Sequence, residues 1–321
     1  MSIGHAVSVT IPDDLQADYR KAIRLEWITV FYLASVAVVM YLASGNSQAM
    51  EAAWIEDVVG ISPAIAFLVA SKIHGKPATD RFPYGFQKAF TVAFVGAAIA
   101  LLVLGLYAFV TSLIALIKAE HPSIGTFPLF GKEHWLGWLM LAALMYSCIP
   151  AIILGRLKLP LAKRLHEKVL FVDSHAQKAD WLTAAGGMVG VIGIGFGIWW
   201  LDSVVAIAIS SSIVYDGITR TRDSMKDLLE EMPMTTDNKN IHPLVNDVIR
   251  TCLECEWVSD VRVRLRESGM VFVGDVLVIP KQSDNLIDRA AQLREDLMAI
   301  DWKIADIVIS PVRDFTQFQE K

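Results

Sequence analysis

Long apolar runs separated by short polar breaks follow one another along the first two thirds of the chain, up to about residue 218. A helix needs roughly 20 residues to cross a bilayer, and six segments read as such spans. They are Leu25–Ser44, Ala52–Ile73, Phe90–Ile117, Trp135–Leu154, Val169–Trp200 and Leu201–Ile218. The last two share a boundary at Trp200-Leu201-Asp202, so a very tight turn is expected there. Beyond residue 220 the pattern changes. Asn240 to Cys255 has a short helical period, then Trp257–Leu265 and Met270–Ile279 read as strands joined by Glu267-Ser268-Gly269. A helix over Asp284–Ile300 follows the break at Pro280–Ser283, and Ala305–Ile309 makes a third strand. That αββαβ order suits a small open-faced sandwich, ferredoxin- or metallochaperone-like, with both helices on one side of the sheet.

The expected fold is therefore a membrane all-α bundle of six transmembrane helices followed by a cytoplasmic α+β domain. The division runs 1–24 for an N-terminal cytoplasmic segment, 25–219 for the membrane domain and 220–321 for the C-terminal domain. At roughly 80 residues the sandwich holds a modest core that dimerisation would help.

Composition supports the membrane reading: 54% of the 321 residues are hydrophobic and the mean hydropathy is +0.45. Charge sets the orientation. Arg20, Lys21 and Arg24 precede the first span; Lys72, Lys76, Arg81 and Lys88 end or follow the second; Arg156, Lys158, Lys163, Arg164 and Lys168 follow the fourth; Arg220, Arg222 and Lys226 follow the sixth. The opposite side carries Lys118 and Lys132. The positive-inside rule then places both termini in the cytoplasm of a multi-pass inner-membrane protein, with Trp135, Trp138, Trp199 and Trp200 near the outer interface. The first 24 residues, with Asp13, Asp14 and Asp18, do not resemble a cleavable signal. A net charge of -5 gives no support for nucleic-acid binding; membrane lipids are the expected surroundings.

Acidic side chains inside the spans carry the candidate chemistry. A carboxylate near the bilayer centre costs about 2.5–3.5 kcal/mol on insertion scales, so such groups usually line a cavity or an ion site. Glu56 and Asp57 lie in the second span, and Asp173, Gln177 and Asp180 in the fifth. At about 100° per residue the latter three share one helix face, whereas His175 lies about 200° around from Asp173. Glu56 and Asp57 diverge by about 100°, so one of the two is expected to face the shared cavity, without a choice between them. Ser62-Pro63 supplies a kink nearby. Several carboxylates and an amide make a hard, oxygen-rich site for a divalent cation. Empty, it would hold protons that an arriving metal expels. A buried structural network, Asp173 with Lys178 or His175, is the competing reading.

Weaker candidates lie elsewhere. Cys252-Leu-Glu-Cys255 has CxxC spacing, but two thiols supply half of a zinc site, and a partly buried helix end is the favoured reading. Asp202 caps the sixth helix or binds at the outer vestibule, with capping favoured. Gly186, Gly190, Gly193 and Gly197 allow close helix contact. Arg262, Arg264 and Arg266 alternate with apolar residues as the solvated face of a strand.

These features together resemble the cation diffusion facilitator family of divalent-metal transporters, from about residue 25 to 312. Asp173-Ser-His-Ala-Gln-Lys-Ala-Asp180 is similar to the family's fifth-helix motif, Trp200-Leu-Asp202-Ser-Val-Val-Ala206 to the start of its sixth helix, and Phe82-Pro-Tyr-Gly-Phe-Gln-Lys88 to its basic loop. The sequence departs from the family where Ala176 and either Ala53 or Gly60 stand at ligand positions, and Phe82 and Phe86 replace loop histidines. An oxygen-rich site for iron(II) or manganese(II) therefore fits better than tetrahedral zinc. The resemblance implies a homodimer that exports a divalent metal by proton antiport, with the metal as cargo and no resident cofactor. The alternative is a membrane metal sensor or scaffold that does not transport. HExxH, GxSxG and P-loop motifs are missing from the sequence, which argues against an enzyme.

Overall fold

Six helices long enough to cross a bilayer succeed one another: α1 (Asp13–Ala43), α2 (Gln48–His74), α3 (Ala89–Ile117), α4 (Gly137–Leu165), α5 (Lys168–Gly195) and α6 (Trp199–Leu228). The structure, a computed structural model, describes residues 12–316 apart from 75, 77, 78, 83, 87, 130 and 131. For 74, 129, 132 and 178–180 it describes the backbone alone. Among the described residues, α1, α2, α3, α4 and α6 each combine the length and hydropathy of a membrane span, and α5 has the length. Trp27, Phe31, Val38 and Leu42 on α1, and Val92, Val103 and Leu106 on α3, point outward and stay exposed. Such an apolar belt suits lipid and would be a liability in water.

The spans are those the apolar runs define, but several ends move. α1 begins at Asp13 rather than Leu25, with Asp13 and Asp14 in its first turn, where carboxylates complement the helix dipole. α4 starts after Trp135, which belongs to a strand, and runs beyond Leu154 to Leu165. His166, in the left-handed conformation at φ 52°, then closes it. The turn between α5 and α6 lies at Phe196–Ile198, not at Trp200-Leu201-Asp202. Gly197 takes φ 80° there, and Ile198 N–H returns to the Gly193 carbonyl at 2.9 Å. This glycine stop is what the apolar run Phe196-Gly-Ile-Trp-Trp200 conceals.

Between α3 and α4 a short antiparallel hairpin, β1 (Thr126–Leu129) with β2 (Lys132–Trp135), covers one end of the bundle. The other end carries the C-terminal domain: α7 (Pro243–Glu254), β3 (Val258–Ser268), β4 (Val271–Pro280), α8 (Leu286–Ile300) and β5 (Ile304–Pro311). Its sheet has order β3-β4-β5, with the first pair antiparallel and the second parallel. Val248 and Cys252 of α7 and Leu293 and Leu297 of α8 bury against Val263, Leu265, Val276 and Ile307 on one sheet face. Arg262 and Arg264 lie exposed, as the alternation predicts.

Small residues bring the long helices close. A Cβ at Gly217 of α6 would lie 2.7 Å from Leu102 Cα, and one at Gly105 of α3 would lie 3.2 Å from Val214 N. α3 and α6 therefore pack backbone against backbone. On α5, Gly190 admits Ala49 and Asp202: its missing Cβ would sit 2.9 Å from Ala49 Cβ and 3.1 Å from Asp202 Oδ1. Lys168 at the start of α5 joins Asp227 near the end of α6 (3.1 Å) to Glu267 of β3 (2.7 Å), which fixes the bundle to its C-terminal domain.

Candidate functional site

A cavity of about 110 Å³ opens among α2, α3, α5 and α6, in the half of the bundle nearer the C-terminal domain. Helix geometry decides who reaches it. Glu56 and Asp57 come from α2, just before Ser62 and Pro63; Asp173 and Gln177 come from one face of α5; Asp216 and Arg220 come from one turn of α6. Both α2 acids line the cavity, where one was expected. They still diverge: Glu56 faces Thr183 of α5 and the Asp216–Arg220 pair, while Asp57 turns to Ser147 of α4.

Polar satisfaction separates these residues further. Glu56 Oε2, Asp57 Oδ2 and both amide atoms of Gln177 are out of reach of solvent and have no hydrogen-bond partner. Buried polar atoms almost always find partners, so four orphans lining one cavity are characteristic of a ligand site. Asp173 differs. Its Oδ2 takes a hydrogen bond from Lys158 Nζ at 2.5 Å, and the same ammonium reaches Glu26 Oε2 at 3.0 Å. Lys158 and Glu26 are 0% exposed and Asp173 2%. A structural network for Asp173 thus exists, formed with Lys158 and Glu26; the Lys178 side chain lies outside the described residues. Lys158 is correspondingly no loop residue: α4 continues past it, and two carboxylates neutralise it inside the bundle.

His175 is exposed and packs on Phe171 at 4.5 Å between ring centroids, away from the cavity, as its position on the helix requires. The Asp180 side chain lies outside the described residues, so its place rests on the helical spacing alone. Among the described residues, no three carboxylate, imidazole or thiol groups converge to metal-binding distance. The cysteine pair sits at the end of α7. Cys252 is fully buried in the α7 core, and burial with Cys255 beside it pushes its thiol up to about 12. Burial, Asp296 and Glu254 also raise Cys255.

Asp202 corrects another expectation. It lies in the first turn of α6 but caps α2: Oδ1 accepts from Ser47 Oγ (2.6 Å) and Ala49 N–H (3.2 Å), and Oδ2 from Gln48 N–H (2.6 Å). The sequence gives no sign of a partner 155 positions away. Glu26, Lys158, Asp216 and Arg220 also went unassigned. Glu26 carried a readable signal, an acid at the start of an apolar span; Lys158 was masked by the basic cluster around it.

A helical membrane bundle with a carboxylate- and amide-lined cavity, roofed by a small α+β domain, defines a polytopic membrane protein with a buried polar cavity. Known proteins agree. The cation efflux transmembrane domain matches residues 25–229, and the chain belongs to that family, the cation diffusion facilitators. It is 24% identical over 236 residues to manganese efflux system protein MneP of Bacillus subtilis, covering 72% of this chain and 74% of MneP. It is also 24% identical over 164 residues to manganese efflux system protein MneS of the same organism, covering 51% of this chain and 52% of MneS. A probable cation efflux system protein of Mycobacterium tuberculosis is 24% identical over 230 residues, 70% of this chain and 65% of that protein. The chain thus spans about half of one relative's length and 65–74% of the others'.

Proposed function

We propose that this protein exports a divalent metal ion from the cytoplasm in exchange for protons, with manganese(II) or iron(II) favoured over zinc. The observation that carries the reading is the set of orphaned oxygens and amide atoms, from Glu56, Asp57 and Gln177, lining one intramembrane cavity. These are hard donors, suited to hard divalent ions rather than to a tetrahedral nitrogen and sulfur site. Asp180, one turn beyond Gln177 on the same face, completes the set by spacing. Asp173, claimed by Lys158, positions the lower part of α5 and leaves the ion to the other four. Two relatives bear the name manganese efflux, which agrees with the donor chemistry.

The charge bias along the loops supports a cytoplasmic C-terminal domain. The cavity then faces inward: it runs from Glu56 towards Phe94 and Arg220, near the domain end of the bundle. Ala49, Ala52, Ile55, Ala206 and Ile209 form a packed apolar plug on the other side. Protons that neutralise the empty carboxylates leave as the metal arrives, and alternate opening to the two sides converts that exchange into antiport. The working unit is a homodimer.

The test is uptake of Mn2+, Fe2+ and Zn2+ into proteoliposomes under an imposed pH gradient. Manganese or iron flux that collapses with the gradient and is lost in Glu56→Gln and Asp180→Asn is the expected result. Metal binding without flux would leave a sensor in place of a transporter.

A further inference from the structure

A second cavity, of about 350 Å³, lies at the hairpin end of the bundle, beyond the apolar plug. Glu51 and Gln48 reach it from the first turn of α2, Glu120 from the chain just after α3, and Asn46 from the connection between α1 and α2. Ser203 of α6 also lines it. That side chain is 1% exposed, and its hydroxyl has no hydrogen-bond partner, an unusual condition for a buried donor. Charge at the cavity is negative. Lys118, paired with Glu120 at 4.0 Å, is 66% exposed and is not among the residues lining the space. Asp202 lies directly behind Ser47 and adds a carboxylate whose oxygens are both engaged by α2. His121 packs against Trp199 at 4.8 Å.

We propose that this outer cavity, lined by Glu51, Glu120 and the Ser203 hydroxyl, is a second cation station, which holds a divalent ion with its water shell in place. Two carboxylates and a hydroxyl are too few to replace the six or more oxygen ligands such an ion takes, so in this proposal the contact runs through water. Size agrees: six waters at about 30 Å³ each occupy ~180 Å³, which the cavity accommodates. Hard divalent ions that shed water reluctantly suit such a site, and recognition by charge alone makes it indifferent to which of them is bound. The station rests on the export reading for its role, as the place where an outgoing ion is rehydrated before release. Its existence as a binding site does not rest on that reading.

The experiment uses the full-length chain in nanodiscs, with Mn2+ as probe and electron paramagnetic resonance and pulsed electron–nuclear measurements as readouts. In the background Glu56→Gln/Asp57→Asn/Asp180→Asn, one weak Mn2+ site persists, its water protons still coupled to the metal, and excess Mg2+ displaces it. Adding Glu51→Gln and Glu120→Gln weakens that site at least tenfold, and Ser203→Ala weakens it by a smaller factor. Absence of residual Mn2+ binding in the triple background overturns the proposal, as does residual binding indifferent to Glu51→Gln and Glu120→Gln. If the triple background binds as much Mn2+ as wild type, all of it sensitive to Glu51→Gln and Glu120→Gln, the outer station stands and the intramembrane reading fails.

Discussion

Replacing Lys158 by methionine leaves Glu26 and Asp173 without the ammonium that joins them. The distances are 3.0 and 2.5 Å, and the lysine and Glu26 are shut off from solvent, with Asp173 nearly so. Removing one partner of a buried ion pair costs about 3–5 kcal/mol, because the charge left behind keeps its desolvation penalty and loses its compensation. Two carboxylates are stranded here at once, which places Lys158→Met at the upper end of that range. For a domain of this size about 2–4 °C of melting temperature accompanies each kcal/mol, so a fall of ~10–20 °C is expected in detergent-solubilised protein. The triple variant Glu26→Gln/Lys158→Met/Asp173→Asn removes all three charges and should recover most of the loss. Melting is followed by fluorescence-detected size exclusion after heating. Transport by the triple variant supplies a second readout: because Lys158 holds Asp173 away from the ion, metal flux should stay within a few fold of wild type. A triple variant as unstable as Lys158→Met would refute the electrostatic account, and one that is stable but inactive would return Asp173 to the ion.

Other outcomes are accessible to the same preparations. Asp202→Ala removes the cap of α2 and should destabilise the bundle by about 0.5–2 kcal/mol, with Asp202→Asn costing less; equal melting of both and wild type would contradict the capping role. Gly217→Val forces a side chain against the Leu102 backbone, so the yield of monodisperse protein should drop sharply relative to an exposed control such as Val92→Ala. In the C-terminal domain, burial and then His166 push His242 down to about 4, below the ordinary imidazole value of about 6.5. The unfolded chain thus takes up the proton first, so this contribution to stability is intact above pH ~6.5 and declines as the pH falls towards ~4. His242→Asn, which can still cap α7, should flatten that part of a melting-temperature profile. Finally, a thiol reagent near neutral pH should modify Cys255 well before the buried Cys252, and equal rates would show that the α7 end is open.

Apolar run length and the period-two strands made most of this architecture legible, because six spans and an αββαβ domain are written in the order of hydrophobic positions themselves. Local stops were harder. The Gly197 turn hides within an apolar run and was expected a few residues too late, and the β1–β2 hairpin has no strong alternation of its own. In the site, Glu56, Asp57 and Gln177 could be found because acids and amides in apolar segments are costly wherever they sit. Partnerships were not readable. Lys158 lies among loop-like arginines and lysines, and nothing local says that α4 carries it past the expected boundary to meet Glu26 and Asp173. Asp202 shows the same limit: its position suggested a cap for its own helix, while its side chain serves a helix far away in the chain.

The Asp202 cap also constrains how the bundle can move. Any conformation that parts the hairpin ends of α2 and α6 breaks three hydrogen bonds to one carboxylate at once. At that end the two helices therefore behave as a single lever, pivoting together against the smooth glycine face of α5 at Gly190. In the proposed export cycle, opening to the far side would therefore carry α2 and α6 together at this end.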